Sequence, residues 1–213
     1  NAFYETVCLG EVVHIDLSSP ENIWNNFTSK NRNVIRKAMK NNIRIYYGRY
    51  PEIFKQFRAI YNKTMDKEHA DEYYYFGEDF YQSILDDLPH NSGIFFAEKD
   101  NSVIAAAIIL FANERMNYHL SGSLREYNTL APTNLLLYEA ALWGYANGYK
   151  TFYLGGGLGA KEDSLFKFKR AFNKGMPMRY HIGRKIVDKK KYDELVAFRG
   201  VQLETEYFPL YRA

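Results

Sequence analysis

The sequence predicts an α/β fold in which a mixed, mainly antiparallel central sheet is flanked by helices. Three observations lead there. Helical patterns fill most of residues 19–85, an antiparallel meander follows over 93–121, and a helix apolar on nearly every side then leads into a returning strand. Elements arranged in that order must cover a sheet to bury their apolar residues. A chain of 213 residues is the size of one large domain and long enough to bury most of the surface its unfolded form exposes.

Residues 10–17 (Gly-Glu-Val-Val-His-Ile-Asp-Leu) alternate well enough to be a strand. Ser19-Pro20-Glu21 opens a helix, with Ser19 as cap and Pro20 at the first helical position, where a missing N–H is no loss. A basic helix follows over 29–41 and a short strand over 43–47. Residues 51–68 place Ile53, Phe57, Ile60, Tyr61 and Met65 on one side of a helix, and 77–85 form another. The meander has strands at 93–98, 103–111 and 116–121, separated by Lys99-Asp100-Asn101-Ser102 and Ala112-Asn113-Glu114-Arg115. The helix over 134–147 carries Leu135, Leu136, Leu137, Ala140, Ala141, Leu142 and Trp143, a pattern of burial rather than of a surface position. Gly148 stops it, and 150–154 is the next strand. A short helix at 164–173, strands near 178–187 and a helix near 189–198 complete the chain. This order is compatible with the acyl-CoA N-acyltransferase (GNAT) fold and also with other mixed sheets.

The bulk composition narrows the function classes. Aromatic residues reach 17%, with 19 tyrosines, a residue that suits cores and ligand clefts alike because it joins a large ring to a polar tip. A net charge of +3 is too small to argue for bulk nucleic-acid binding, although a local basic patch is compatible with it. The single cysteine, Cys8, excludes an intrachain disulfide and points to a reducing compartment. No apolar run reaches the roughly 18–20 residues of a membrane span, and no signal peptide is visible. With no repeat or low-complexity linker, residues 1–213 are expected to form one domain, 1–50 supplying an entering strand, a basic helix and a strand, and 51–213 the main lobe. The start at Asn1-Ala2, without methionine, raises the expectation of a trimmed chain.

Four segments bear chemistry. In 161–172, Leu165, Phe168, Lys169 and Phe172 fall on one helical face, so a lysine shares a stripe with three apolar residues. It must snorkel outward, pair with an acid, or lie beside a cleft that uses its cation on developing oxyanion or phosphate charge. Lys167 and Arg170 look like solvated charges. Just before it, Gly155-Gly156-Gly157-Leu158-Gly159 follows a strand, which suits a flexible turn or a close approach of ligand to backbone. The spacing matches neither a dinucleotide fingerprint nor a P-loop. At 117–123, alternation groups Tyr118, Leu120 and Gly122 on one face and His119, Ser121 and Ser123 on the other. In the basic helix Arg32, Arg36 and Lys40 stack without an acid between them, an arrangement that a solvated face tolerates and that phosphates of a lipid head group or of tRNA would relieve. The five histidines show no pairing suggestive of a metal site, and no nucleophile elbow is present.

Taken together and in order, Asn31-Arg32-x3-Arg36-Lys37-Ala38, Tyr73-Tyr74-Tyr75-Phe76, Tyr118-x-x-Ser121-Gly122-Ser123, Ala131-Pro132-x-x-Leu135-Leu136, Gly148-Tyr149-x-x-Phe152 leading into Gly155-Gly156, and Leu165-x-x-Phe168-Lys169 resemble the Fem family (FemABX). These enzymes transfer amino acids from aminoacyl-tRNA to the peptide of lipid-linked peptidoglycan precursors. The resemblance spans about residues 10–185 and fits the second of the family's two GNAT-like lobes. It implies that Lys169, paired with Phe168, stabilises charge near the transferred acyl group and the terminal adenosine. It places Tyr118 at the cleft with Gly155 and Gly156 beside it. Ser121, Ser123, Arg32 and Arg36 become candidate substrate contacts. No metal or cofactor is implied. The implied partners are aminoacyl-tRNA, a lipid-linked or nucleotide-linked peptidoglycan precursor, and a first lobe that this chain lacks. The implied location is cytoplasmic, peripheral to the inner face of the plasma membrane. Two other functions stay open: transfer from an acyl-CoA such as acetyl-CoA, or from an acyl carrier protein, to an amino-sugar or surface-polysaccharide precursor, and a non-catalytic lobe that binds tRNA or a partner domain. Ordinary GNAT enzymes carry an Arg/Gln-x-x-Gly-x-Gly/Ala loop before their pyrophosphate-binding helix. The corresponding 128–134 here has no glycine, which argues against acetyl-CoA.

Overall fold

The computed structural model describes residues 3–200, 205 and 207–212, which group into a large unit of residues 11–178 and a small one of 3–10 with residues from 179 onwards. Strand β1 (Glu5–Asp16) starts in the small unit and its residues from 11 onwards belong to the large one. The large unit continues with α1 (Pro20–Asn26), α2 (Ser29–Lys40), β2 (Arg44–Gly48), α3 (Pro51–Lys67) and α4 (Glu78–Asp87). Strands β3 (Ser92–Lys99), β4 (Ser102–Ala112) and β5 (Arg115–Ser123) form the meander, followed by α5 (Pro132–Ala146), β6 (Thr151–Gly155) and α6 (Ser164–Arg170). Its strands lie in the order β2-β3-β4-β5-β6-β1. Neighbours pair antiparallel except β5 and β6, which are parallel, so the sheet is mixed and mainly antiparallel, as expected.

Local chemistry accounts for the element ends. Ser19 accepts from the Asn22 N–H at 3.0 Å to start α1, and Thr28 accepts from Asn31 to start α2. The two meander turns put Asp100 and Asn101, then Asn113 and Glu114, at positive φ, the geometry that matches a two-residue hairpin to the strand twist. Helix α5 starts two residues earlier than its apolar pattern predicts, because Pro132 takes the first helical position. Strand β1 starts five residues earlier than predicted. Its first residues are mostly exposed and offer no apolar alternation to read. Helix α6 stops at Arg170 rather than 173, where Thr28 N–H takes the Ala171 carbonyl and Lys174 N–H takes the Asn26 carbonyl.

Both faces of the sheet are covered. One bears a core of Phe27, Ile35, Leu136, Phe152 and Phe172, contributed with sheet residues by α1, α2, α5 and the end of α6. The other packs Ile53, Phe57, Tyr61, Tyr81 and Ile84 of α3 and α4. Strand β4 serves both, with Ala105, Ala107 and Ile109 on the first face and Ala106 and Ile108 on the second, which explains its unbroken apolar run.

The small unit holds the first half of β1, β7 (Met178–Arg184) from its second residue onwards, α7 (Lys189–Arg199) and a short turn of helix at Leu210–Arg212. Within it Arg184 donates to both carboxylate oxygens of Glu5, at 2.9 and 2.7 Å, and lies over the Phe208 ring, which stacks on Tyr192.

Candidate active site

The sheet opens in its middle. Strands β5 and β6 pair from Arg115↔Thr151 to Asn117↔Tyr153 and no further, yet β5 runs on to Ser123 and β6 to Gly155. Beyond the split β5 stays paired with β4, and β6 with β1. From Tyr118 onwards the β5 edge therefore offers backbone groups that β6 does not take.

A bulge sits at the mouth of this split. Ile109 pairs with Tyr118 and Ile108 with Leu120, so His119 is an extra residue in β5. A bulge bends its strand and sharpens the twist. It also breaks the alternation expected for 117–123. Tyr118 shares a face with Ile109, while Leu120 shares the opposite one with Ile108. Grouping Tyr118 with Leu120 and Gly122 is thus incorrect: Ser121 and Ser123, opposite Ala107 and Ala105, lie on the Tyr118 side. The Tyr118 hydroxyl donates to Ser121 Oγ at 2.5 Å. Burial pushes this phenol up to about 12, against the pull of Ser121, so it remains a proton-bearing donor. Ser123 is fixed by its N–H to Thr64 Oγ1 at 3.1 Å, and its hydroxyl donates to Asn128 Oδ1 at 3.0 Å. The His119 ring lies beside Phe80 of α4, on the other side.

Lys169 approaches from α6. Asp163 organises that helix: its carboxylate accepts from Phe166 N–H at 2.8 Å as the cap and from Leu158 N–H at 2.9 Å in the preceding loop. These donors hold its carboxyl below the usual range. The buried face of the segment is Phe166, Lys169, Phe172 and Asn173. Leu165, expected on the apolar stripe, is 42% exposed and Phe166 takes its place, while Lys169 and Phe172 are buried as expected. Phe168 is partly buried against the same core as Tyr118. Lys169 does not snorkel: it is 8% exposed, and Nζ donates to the Gly156 carbonyl at 2.6 Å. Among the described residues no carboxylate pairs with it. Burial lowers its pKa from 10.5 to about 8, with the charge of Asp163 opposing. At neutral pH the group is a cation held by one neutral carbonyl, an uncommitted positive charge.

The glycine run shapes that acceptor. Gly155 has φ +81°, and Gly156 passes so close to β1 that a Cβ there would lie 2.8 Å from the Glu11 carbonyl oxygen. The turn ends β6 and presents the Gly156 carbonyl to Lys169. Tyr118 with Ser121 on β5 makes one polar pair and Lys169 with Gly156 after β6 another, and Tyr118 and Phe168 pack against the same core. Arg32 and Arg36 have other partners: Arg32 donates to the Phe27 and Asn25 carbonyls, while Arg36 donates to Asn33 and lies 5.0 Å over the Trp24 ring.

Sequence reasoning missed the polar link that seats α6. Asn31, 2% exposed, donates to the Ala171 carbonyl at 3.3 Å and accepts from Asn134 Nδ2 at 2.8 Å, joining α2, α5 and the end of α6. Asn173 donates to the His14 carbonyl at 2.8 Å. A signal existed for the first: Asn31 sits at helical spacing with Ile35 and Ala38 on the buried side of α2. For the cap, Asp163→Ala is expected to lower the melting temperature by a few degrees and to loosen 157–163, while Asp163→Asn retains most of the stability. Thermal unfolding and amide exchange at Leu158 and Phe166 measure both effects.

A family model described as acetyltransferase (GNAT) domain matches residues 29–170. No curated protein matches the sequence at a significant level. Among solved structures, FemX superposes with a TM-score of 0.69 at 13% identity, over 86% of this chain and 63% of that one. The C-terminal domain of a putative lysylphosphatidylglycerol synthetase from Agrobacterium fabrum gives 0.63 at 17% identity, over 87% and 63%. L-PGS from Bacillus licheniformis gives 0.61 at 14%, over 92% and 66%. Likeness at these identities is one of fold, and this chain spans less than two thirds of the length of each.

Proposed function

This chain belongs to the acetyltransferase (GNAT) domain family and is an acyltransferase of that fold; from that premise we propose that it is a lobe of a Fem-type aminoacyltransferase, moving an amino acid from aminoacyl-tRNA to the amine of a peptidoglycan precursor. The observation that carries the choice of donor is the start of α5. Its turn is made by Ala131 at φ +55°, its first residue, Pro132, has no N–H, and the Asn134 and Leu135 amides bond back to the Ala131 carbonyl. The Asn134 side-chain amide is taken by Asn31. Few free amides remain there for a pyrophosphate, which speaks against acyl-CoA and for a donor held elsewhere.

The chemistry then needs little beyond orientation and charge. The acceptor amine attacks the ester carbon of the aminoacyl group, forming a C–N bond and a tetrahedral oxyanion. Collapse breaks the ester C–O bond, and the proton lost by the attacking nitrogen ends on the ribose hydroxyl that leaves. The Lys169 ammonium supplies positive charge to the oxyanion, in a setting where burial makes it effective. Tyr118 stays protonated and gives its one proton to Ser121 Oγ, which leaves the Ser121 hydroxyl to donate, and the open β5 edge adds backbone donors. No nucleophilic triad is required, because aminolysis of an ester depends chiefly on positioning. The chain spans 63% of the FemX structure, which supports a separate first lobe for the acceptor. No described helix is long and apolar enough to cross a membrane.

Donor binding tests the proposal. Labelled aminoacyl-tRNA is expected to bind saturably, more weakly to the Lys169→Met variant, and acetyl-CoA is expected not to saturate. Saturable acetyl-CoA binding without binding of charged tRNA would reassign the donor to acyl-CoA.

A further inference from the structure

A polar concavity lies beside α3 and α4, on the face of the sheet opposite Tyr118. Helices α3 and α4 run antiparallel: Arg58 faces Glu78 at 3.6 Å, and Arg49, just before α3, donates to the Ile84 and Leu85 carbonyls at the far end of α4. Between them is a cavity of about 540 Å³, within the size range of small-molecule sites. Its lining is graded along its length. Pro51, Phe54 and Leu85 make one end apolar, Arg58, Asn62 and Glu78 make the other polar, and Lys55, Tyr81 and Gln82 lie between.

Two buried polar atoms of this lining have no hydrogen-bond partner: the Tyr81 hydroxyl and Asn62 Oδ1. Tyr81 is 4% exposed, and its ring packs on Phe57 and Phe80. Native proteins seldom leave such groups unpaired, because each forfeits its hydration for nothing. The Arg58–Glu78 contact beside them is long and half-exposed, so it gives way at little cost. With Lys55 and Arg58 against Glu78, the charged lining sums to one net positive charge, which a monoanion neutralises. A guanidinium fork with an adjacent phenol suits the two oxygens of a carboxylate.

We propose that the α3–α4 groove binds a small amphipathic monocarboxylate, its carboxylate at Arg58 and Tyr81 and its apolar chain toward Phe54 and Leu85. Binding requires Arg58 to leave Glu78, which opens the floor to the Tyr81 hydroxyl, the donor of the two unpaired atoms; Asn62 Oδ1 is an acceptor and does not hold the carboxylate. The site is on the face opposite Tyr118 and is independent of the donor assignment.

Sodium hexanoate is the probe, followed by saturation-transfer NMR and by shifts of the Tyr81 ring signals. Saturable binding is expected, weakened about tenfold or more in Tyr81→Phe and in Arg58→Gln, the usual reach of a hydrogen bond to a charged group. Tyr81→Phe folds as the parent does, since its hydroxyl has no partner to lose, so its lost affinity is not lost structure. Non-saturable hexanoate, equal binding of 1-hexanol, displacement by inorganic phosphate, or unchanged affinity in both variants would each overturn the proposal.

Discussion

Lys169→Met is expected to lower turnover on the order of 100-fold, the usual cost of one oxyanion-stabilising donor, and to leave the protein more stable at neutral pH. The two effects share a cause. The ammonium is buried with the Gly156 carbonyl as its hydrogen-bond partner and Asp163 as a nearby charge, and burial still takes its folded pKa to about 8, below the free value of 10.5. Between these two values the unfolded chain binds more protons than the folded one, so wild-type stability rises with pH through that window. Below about pH 8 the fold carries the full penalty of a buried charge, which methionine removes. Allowing for the lost hydrogen bond, the variant should gain roughly 1–3 kcal/mol at pH 7. Urea midpoints at pH 7 and pH 10 read this directly: the gap between variant and wild type should narrow at the higher pH. Wild-type turnover should fall above pH 8 as the cation is lost. Unchanged turnover in the variant removes Lys169 from the mechanism. A variant that is less stable at neutral pH identifies the lysine as a structural contact instead.

Gly156→Ala is the second large effect. Its Cβ would sit 2.8 Å from a backbone oxygen of β1, which no rotamer change relieves. Strand β1 and the turn after β6 must move apart, and the carbonyl that holds Lys169 moves with them. Displacements on the scale of an ångström at a catalytic group cost up to about 100-fold, so a fall in kcat of roughly 10- to 100-fold is expected, with a drop in melting temperature. Gly159→Ala is the control. Gly159 has φ +59° but nothing within 4 Å of its added Cβ, so it bears backbone strain alone and should keep most of its turnover. Equal losses in the two variants would show that the turn does not position Lys169.

The same residues mark how far the sequence is legible. Ser19-Pro20, Asp100-Asn101 and Asn113-Glu114 fix their own backbone geometry through caps and turn preferences, so α1 and both meander hairpins are where local chemistry puts them. The lysine on a short helix after a glycine run was likewise visible, because helical spacing and glycine content are properties of neighbours in the chain. The exchange of Leu165 for Phe166 at the start of the buried stripe was not, since a seven-residue helix offers too few turns for its period to define a face. Alternation failed at Tyr118 for a related reason. His119 is a bulge only with respect to its pairing with β4, and strand register belongs to two segments rather than one.

What the amino-acid sequence determined by itself was the order of elements, their turns and caps, and the candidate residues near the end of the returning strand. Only the tertiary structure decided that β5 and β6 part after Asn117, that Tyr118 and Ser121 share a face, and that Asn31 meets Asn134 across 103 positions of chain. It also decided the α3–α4 groove. The physical reason is one of range. Backbone preferences and periodicity act over a few residues, whereas a split sheet, a buried amide pair and an unpaired phenol are consequences of which distant surfaces compete for the same space.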